Sequence, residues 1–377
     1  MNSAMDTSTK QRPPVVLILG ETLGLGGAEK VTVDILRALV DDGRYDVHAG
    51  MSISTGGIFA DRVPEAVTVH SVPTVDAIRG LAMYLSPQLV ISNNCRAYKW
   101  AVKSGPSTRF GRDVFFLHGY HEWSLDLLPT PLAPSAVILT ISDEAKAGIG
   151  AALGVNPGSI AVIPNAVDTA RFNPEGAKAD LPWDTGVVYG YAGRFSGEKA
   201  LPLLVEMFAK ANLPDARLLF VGGTDPGVVA HKPYWAAQIR DVEKAILRCG
   251  VGDSVHITGL VPNPEDYYRA MDVFCMASTF EGFPLVLLEA MACEVPVIST
   301  AVGAIPELLG TTRGLTVGGR GEMSCEARLA YVAAIQELHD DPALRIQMGR
   351  AGRHYVASRY PMKAYEARVR NFVEKVL

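Results

Sequence analysis

The stretch STFEGFPLVLLEAMACEVPVIST, residues 278–300, decides the fold class of this chain. It joins the end of one apolar run, through a short loop with Gly282 and Pro284, to an apolar helical segment, and a second β-branched run follows at 296–300. A strand, a helix and a second strand in this order predict a parallel βαβ unit with buried strands. Pro284 is typical of the first helical turn, where its missing N–H would be unpaired anyway.

Similar short apolar runs recur along the chain, and helical patterns separate them. They are VVLILG (15–20), LVISN (89–93), VFFLHG (114–119), AVILTIS (136–142), SIAVIPN (159–165), VVYGYAG (187–193), RLLFVGG (217–223), VHITG (255–259), VFCMAS (273–278) and PVIST (296–300). This alternation predicts an α/β protein with two doubly wound, Rossmann-like halves. Because open parallel sheets bind ligands at the carboxyl ends of their strands, the cleft between the halves is the predicted site.

Length and composition support this organisation. The 377 residues exceed one ordinary hydrophobic core, which favours two domains. The formal net charge of -5 gives no reason to expect nucleic acid as a partner. Five cysteines without CxxC spacing favour a reduced compartment over a disulfide framework.

The polar N-terminus MNSAMDTSTKQRPP (1–14) does not resemble a signal peptide. No stretch approaches the roughly 20 apolar residues of a membrane-spanning helix. We therefore expect a cytoplasmic protein, and peripheral contact with the inner face of a membrane stays open.

The domain boundary is predicted in the segment NAVDTARFNPEGAKADLPWDTG (165–186), which is rich in Asp, Pro and Gly and lies between two strands. We assign residues 1–172 to the first domain and 173–359 to the second. The segment 165–186 is the expected hinge.

A glycine-rich loop, GLGGAEK (24–30), follows the first strand. It fails the dinucleotide pattern GxGxxG because Glu29 stands where the last glycine belongs, and it fails the Walker pattern because Val31 follows Lys30. Glycines let the backbone approach a ligand, and a helix that starts near Ala28 would aim free N–H groups at an anion. The loop alone leaves a phosphate site and a plain strand-to-helix turn equally open.

Two cations follow the first strand of the second half, in YAGRFSGEKALPLLVEMF (191–208). Arg194 and Lys199 precede an amphipathic helix, and two cations beside a helix N-terminus form a site for a diphosphate. Alone, the pair would be ordinary surface charge. The deciding stretch supplies further donors, because the amides of Leu285 and Val286 would be unpaired at the start of their helix.

Two carboxylates flank that helix start. Glu281 lies in the loop before it, and Glu289 follows Pro284 by five residues, about 7–8 Å along the helix axis. That distance suits a phosphate at the helix end and a ribose diol further along, bound by the carboxylate. Carboxylates also serve as partners of the helix dipole. Glu289, however, lies in the otherwise apolar LVLLEAMA, where an unpaired carboxylate is costly, which favours a binding function.

With these residues the sequence resembles a retaining glycosyltransferase of the GT-B fold, from the large family 4 group, also called glycosyl transferases group 1. The resemblance is strong over residues 160–310 and weaker before about residue 130. The motifs that carry it are GGAE (26–29), Arg194 with Lys199, ITGLVPNPEDYYRAMDVF (257–274), EGFPLVLLE (281–289), AVIPNAVDTARFNP (161–174) and AVGAIPELL (301–309).

The resemblance implies two Rossmann-like domains that face each other across a cleft, with a final helix at 360–377 that packs back on the first domain. It implies transfer of a hexosyl group from a nucleotide-diphosphate sugar, with UDP and GDP favoured, to a hydroxyl acceptor. No metal or other cofactor is expected, in agreement with the lack of a DxD motif in the sequence. A glycan, a lipid-linked or a small-molecule acceptor all stay open.

The resemblance also implies roles for residues. Catalytic roles go to His118, in FFLHGYHEW (115–123), and to Glu281, Arg194 and Lys199. The two cations bind the diphosphate, Glu289 the ribose and Glu281 the transferred sugar, while His118 positions or polarises the sugar rather than attacking it. The full set of donor-binding residues is Gly26, Gly27, Arg194, Lys199, Gly259, Leu260, Val261, Glu281, Gly282, Phe283, Leu285, Val286 and Glu289.

The acceptor is expected on the first domain, with Asn93, Arg96 and Lys99 as candidate residues. They begin the stretch NNCRAYKWAVKSGPSTRFGRD (93–113), which is rich in Lys and Arg and contains one acid. An anionic acceptor or membrane surface would suit these cations. A solvated basic helix is slightly favoured, because the stretch has few bulky apolar anchors.

Three other functions stay open. A sugar-nucleotide epimerase of the GT-B fold is the nearest, because it would bind the same donor without an acceptor. An NAD(P)-dependent oxidoreductase would need an intact GxGxxG before Asp41 and Asp42. A two-lobed sugar-binding protein would leave Arg194, Lys199 and Glu289 without a role.

Overall fold

The computed structural model describes residues 12–103, 111–224, 234–319 and 323–377. The first half of this chain alternates strands and helices. Its elements are β1 (Val15–Gly20), α1 (Gly27–Val40), β2 (Asp46–Met51), β3 (Thr68–Ser71), α2 (Val75–Leu85), β4 (Leu89–Asn93), α3 (Arg96–Lys103), β5 (Arg112–Leu117), α4 (Glu122–Leu125), β6 (Val137–Thr140), α5 (Asp143–Leu153) and β7 (Ala161–Val162).

The second half repeats the alternation and ends in three consecutive helices. Its elements are β8 (Val187–Arg194), α6 (Leu201–Ala211), β9 (Ala216–Gly223), α7 (Tyr234–Cys249), β10 (Val255–Ile257), α8 (Pro264–Ala270), β11 (Val273–Met276), α9 (Leu285–Ala292), β12 (Val297–Thr300), α10 (Ile305–Leu309), β13 (Gly314–Val317), α11 (Cys325–Asp340), α12 (Pro342–Arg359) and α13 (Met362–Val376). Among the helices in the described part of the chain, none is both long enough and apolar enough to cross a bilayer.

The strands form two parallel sheets, one in each half. The first has the order β3-β2-β1-β4-β5-β6-β7 and the second β10-β9-β8-β11-β12-β13. In the first sheet the chain reverses its direction of travel between β1 and β4, and in the second between β8 and β11. Crevices form at such switch points, outside the carboxyl ends of the strands. The loops that follow these four strands therefore carry the residues to examine.

Each of the ten predicted runs coincides or overlaps with a strand. Three strands, β2, β3 and β13, were not predicted. Two of them place histidines, His48 and His70, in the sheet, where the Nδ1 and Nε2 atoms of the two rings lie 3.0 Å apart. The third, GLTV, is only four residues long. Polar residues in β2 and β3, and the short lengths of β3 and β13, hide these strands from a search for apolar runs.

The last helix lies against the first half. α13 packs along α1, where Val369 and Val373 are buried, and Arg370 donates to the carbonyl oxygen of Ala38 at 3.4 Å. An ion pair of 3.2 Å joins Glu374 to Arg44. The end of the chain thus contacts the half that begins it, although the exact domain bounds and the hinge at 165–186 stay predictions.

Helix α9, which carries Glu289, is held in place from behind by α12. Gly349 of α12 faces the carbonyl oxygen of Glu294 so closely that an added Cβ would overlap it. One turn further along, an added Cβ at Gly352 would lie 3.5 Å from the Cβ of Met291, an ordinary contact. The first glycine is therefore required by packing and the second is not.

We expect Gly349→Ala to lower the free energy of unfolding by about 1–3 kcal/mol, because the overlap forces the backbone apart. The matched substitution Gly352→Ala should be neutral or raise it by up to about 1 kcal/mol, because alanine is the better helix former. Urea unfolding of the two variants, followed by circular dichroism, measures the difference. Equal effects from the two substitutions would contradict this packing argument.

Candidate active site

A cleft of about 1310 Å³ lies between the carboxyl ends of the two sheets. It is lined from the first half by the glycine loop after β1 and by residues after β4 and β5. From the second half it is lined by the residues after β8 and β11 and by the start of α9. The switch points thus face the same space.

Tight backbone turns place the two predicted cations on the wall of this cleft. Arg194 ends β8, and its carbonyl oxygen accepts a hydrogen bond of 2.9 Å from the hydroxyl of Tyr191. Lys199 ends a short 3-10 turn, and Ala200 after it adopts a left-handed conformation with φ 49°. The amide of Thr279 donates to the carbonyl oxygen of Glu198 at 2.8 Å, which ties this turn to the loop after β11.

Both cations are paired with carboxylates. Lys199 Nζ lies 2.9 Å from Oε1 of Glu281, which also accepts a bond of 2.7 Å from the hydroxyl of Ser278. Arg194 Nη2 lies 3.2 Å from Oε1 of Glu198, which accepts a bond of 2.6 Å from Ser196. Each positive charge is therefore held in position by a hydrogen-bonded negative charge.

Glu198 remains ionised in this arrangement. Burial alone would raise the pKa of its carboxyl group, but the hydrogen bond from Ser196 and the charges of Lys199 and Arg194 outweigh burial and lower that pKa. The carboxylate is therefore a permanent partner of the guanidinium at neutral pH.

Two helix starts face each other across the cleft. α1 begins at Gly27 and α9 at Leu285, and neither start has a side-chain hydrogen bond as a cap. A Cβ added to Gly27 would lie 3.8 Å from Cδ1 of Leu285, so the two starts are in near contact. Pro284 stands just before α9, with φ -71° and ψ 121°, rather than inside its first turn. The first amides of both helices make an anion-binding surface.

Close backbone contact joins the loop of Glu281 to the first half. Gly282 lies against the carbonyl oxygen of His118, and an added Cβ would overlap that oxygen. Gly303, with φ +54°, lies in the same way against the carbonyl oxygen of Glu281. Any side chain at either position would push this loop away from its neighbours. Glu281, only 7% exposed, is thereby fixed beside His118.

Glu289 has one described hydrogen-bond partner, the hydroxyl of Tyr268, at 2.9 Å. Burial raises the pKa of its carboxyl group, and the charges of Lys30 and Arg171 and the bond from Tyr268 oppose this only in part. Lys30 itself is paired with Asp34 at 2.8 Å on the opposite wall. Keeping this carboxylate in the apolar helix therefore costs stability, as the sequence suggested.

His118 lies one residue after β5. Its Nε2 is 2.6 Å from Oδ1 of Asn93, and its ring stacks on Phe116 with 4.7 Å between centroids. Burial lowers the pKa of the imidazole to about 4. The ring is therefore neutral at physiological pH, so it is not an acid there.

The structure brings most of the predicted residues to the cleft and leaves two outside its lining. Gly259 has φ +72°, and its carbonyl oxygen accepts a hydrogen bond of 2.9 Å from the amide of Gly222. Gly222 lines the cleft, whereas Gly259 does not. Lys99 is paired with Asp126 at 2.6 Å, away from the cleft. Lys103, as a side chain, and Arg109 lie outside the described residues. The predicted residues that line the cleft are Gly26, Gly27, Asn93, Arg96, His118, Arg194, Lys199, Leu260, Val261, Glu281, Gly282, Phe283, Leu285, Val286 and Glu289.

Several residues of the site were not predicted. Glu198 and Ser196 stand between the two cations in RFSGEK (194–199), so the signal for them was present in the sequence. Nothing in the sequence paired Tyr268 with Glu289, since the bond joins α8 to α9. The same holds for Asn165, whose Nδ2 donates to the carbonyl oxygen of Phe283 at 2.8 Å.

Comparison with known proteins matches residues 186–341 to the family described as "Glycosyl transferases group 1". The chain is 32% identical to the D-inositol 3-phosphate glycosyltransferase of Kineococcus radiotolerans over 213 residues, which are 52% of this chain and 47% of that protein. It is 30% identical to the 2-deoxystreptamine glucosyltransferase of Streptomyces kanamyceticus over 241 residues, 61% of this chain and 58% of that protein. The chain thus spans about half the length of these curated relatives.

Solved structures resemble the chain over nearly its full length. Sucrose-phosphate synthase from Thermosynechococcus elongatus superposes with a TM-score of 0.77 at 22% identity, covering 97% of this chain and 99% of that one. The Anabaena protein HepE, in complex with UDP and glucose, gives 0.75 at 18% identity and covers 95% and 99%. These likenesses confirm the predicted GT-B fold of two doubly wound domains.

The raised pKa of Glu289 has a consequence for stability. A carboxyl group whose pKa is higher in the folded chain than in the unfolded chain destabilises the fold when it ionises. The free energy of unfolding therefore falls as the pH rises above 4.5, the ordinary pKa of a glutamate. We therefore expect Glu289→Gln to be more stable than the parent at pH 7, with a difference that shrinks as the pH falls toward 4.5. Thermal unfolding midpoints across this range measure it. The control is Glu65→Gln, the same substitution at an exposed carboxylate. A variant less stable at pH 7 would contradict the expectation.

Proposed function

We propose that this chain is a retaining glycosyltransferase, because residues 186–341 match the family described as "Glycosyl transferases group 1". It moves a hexosyl group from a nucleotide-diphosphate sugar to a hydroxyl acceptor without a metal ion. The observation that carries this proposal is the convergence of two uncapped helix starts and two cations on one cleft, with a carboxylate just over one turn into the second helix.

The diphosphate binds between the starts of α1 and α9. Glycines at 26 and 27 let the backbone of the first domain approach it, and the amides of Leu285 and Val286 approach from the second. Helix N-termini and charge-assisted hydrogen bonds both favour such an anion. Arg194 and Lys199 exchange part of their contact with Glu198 and Glu281 for contact with the phosphates.

The nucleoside extends along α9. The ribose hydroxyls bind Glu289, whose carboxylate is oriented by Tyr268, and the base lies beside Leu260 and Val261. UDP and GDP are the favoured nucleotides. The structures of HepE, which contain UDP and in one case UDP-glucose, support a uridine nucleotide through the shared fold.

The cations act when the bond between the anomeric carbon and the diphosphate breaks. Negative charge then collects on the leaving phosphate, where Arg194, Lys199 and the α9 amides stabilise it without reorganisation. The acceptor oxygen attacks from the same face, and the leaving phosphate takes the acceptor's proton, so configuration is retained. Ser278 and Lys199 both donate hydrogen bonds to Oε1 of Glu281. We therefore assign Glu281 to binding a hydroxyl of the transferred sugar rather than to the role of nucleophile.

The acceptor binds on the first domain, near Asn93 and Arg96. Arg96 is exposed, lines the cleft and makes no ion pair among the described residues. The names of the two curated relatives contain two different compounds, D-inositol 3-phosphate and 2-deoxystreptamine. We therefore propose a hydroxyl acceptor without choosing between them. No further cofactor is proposed, and a cytoplasmic location and membrane contact stay predictions.

We expect a thermal-shift screen of UDP-, GDP-, ADP- and dTDP-sugars to give a hit, because a ligand that binds only the folded chain raises its stability. Arg194→Ala and Lys199→Ala should abolish the shift. Where turnover is still measurable, each should lower kcat by about 10²–10³-fold, the usual loss for one stabilising donor. Glu289→Ala should lose binding, whereas Glu281→Gln should keep binding and lose mostly kcat.

The matched control is Lys210→Ala, at an exposed lysine on α6, the helix that follows Lys199. It should bind and turn over like the parent. If the cation variants bind a nucleotide sugar as well as the control does, the assignment of the diphosphate site is wrong. If no nucleotide sugar binds the parent at all, the proposed function is wrong.

A further inference from the structure

The side chain of Asn93 has only one orientation that its surroundings allow. This residue ends β4 at the switch point of the first sheet and is 2% exposed. Its Nδ2 lies 2.8 Å from the carbonyl oxygen of Ala28 and 2.7 Å from Oγ1 of Thr32. The Thr32 hydroxyl uses its own proton on the same carbonyl, at 3.1 Å. Both neighbours therefore act as acceptors. If the amide were rotated by 180°, its Oδ1 would lie against these two oxygens without a proton to form a hydrogen bond.

The orientation of the amide fixes the proton of His118. With Nδ2 on α1, Oδ1 of Asn93 points to Nε2 of His118 at 2.6 Å. An amide oxygen can only accept, so Nε2 carries the proton. A neutral imidazole has one N–H, and Nδ1 is therefore left with a lone pair.

Nδ1 is the uncommitted polar atom of this ring. Among the described residues no hydrogen bond to it occurs, and it is not among the side-chain atoms that are fully buried without a partner. His118 lines the cleft, and its backbone carbonyl oxygen lies against Gly282, next to Glu281. Nδ1 thus offers a hydrogen-bond acceptor, and no donor, to a ligand in the cleft beside His118.

We propose that Asn93 is a positioning residue that holds His118 as an acceptor, so that the site selects a donor sugar with a hydroxyl, rather than fluorine or a carboxylate, at the carbon that His118 contacts. This proposal rests on the proposed function for the identity of the ligand. It does not depend on it for the state of the ring, which the network of Ala28, Thr32 and Asn93 sets. The selection follows because a hydroxyl can donate to Nδ1, whereas a carboxylate oxygen would face it with a second lone pair.

The state of the ring can be measured without any substrate. Two-bond proton–nitrogen spectra of the full chain labelled with nitrogen-15 histidine distinguish the two neutral tautomers, and His118→Gln identifies the signals of His118. We expect the proton on Nε2 in the parent. Asn93→Leu removes the acceptor and should give a mixture of tautomers. Thr32→Val disturbs the same network but leaves the Ala28 carbonyl to orient the amide, so the parent tautomer should persist.

The selection is measured with UDP-glucose and GDP-mannose and with derivatives in which a single sugar hydroxyl is replaced by fluorine. For the parent, fluorine at one position should lower kcat/KM about tenfold, the worth of one hydrogen bond. That ratio should be smaller in Asn93→Leu than in the parent, because only part of the rings then offers Nδ1 as an acceptor, and it should persist in Thr32→Val. Asn93→Leu should change the ratio even where its kcat falls, which a merely structural role would not predict.

The two proposals fail in different ways. A proton on Nδ1 in the parent, or a parent tautomer that survives in Asn93→Leu, would overturn the role of Asn93 and leave the glycosyltransferase untouched. An unchanged fluorine ratio in Asn93→Leu would overturn the selection. If no nucleotide sugar binds, the proposed function fails, and the selection proposal with it, while the tautomer is still read from the spectrum.

Discussion

Positive charge converges on one cleft, and the rest of the site is built to tolerate it. Two helix starts without side-chain caps and two cationic side chains face the same space. Such an arrangement attracts anions and is unfavourable without them. The carboxylates of Glu198 and Glu281 resolve this by pairing with Arg194 and Lys199, each supported by a serine hydroxyl. Under the proposed function, a diphosphate enters a site whose donors are already oriented.

Much of this could be predicted from the sequence because parallel α/β folds tie position to function. Residues after strands meet at one edge of a sheet, so the runs at 187–193 and 273–278 placed Arg194 and Glu281 near each other before any coordinates were known. The carboxylate of Glu289 stood out because its helix is otherwise apolar. The family match at 186–341 covers the stretch that contains these residues, whose roles stay predictions.

What the sequence did not predict depends on contacts between distant segments. Tyr268 and Glu289 meet because α8 packs beside α9, and Asn93 reaches Ala28 because β1 and β4 are neighbours. Neither contact has a sequence pattern of its own. Lys99 illustrates the opposite case, because its residue type suggested an anion site, yet Asp126 neutralises it. Arg194 and Lys199 are paired as well, but unlike Lys99 they line the cleft, so position rather than residue type makes a cation a candidate for binding.

Under the proposed function, the groups of the first half nearest to the sugar are neutral. They are the amide of Asn93 and an imidazole whose pKa burial lowers to about 4. Under the proposed function the sugar gains positive charge as the diphosphate leaves. An imidazolium beside it would oppose that charge, whereas a neutral ring with a lone pair does not. The apolar surroundings of His118 and its hydrogen bond to Asn93 therefore serve the same end, since burial removes the second proton and the amide decides where the remaining one resides. The cations stay on the opposite wall, beside the leaving group, where charge of the opposite sign develops.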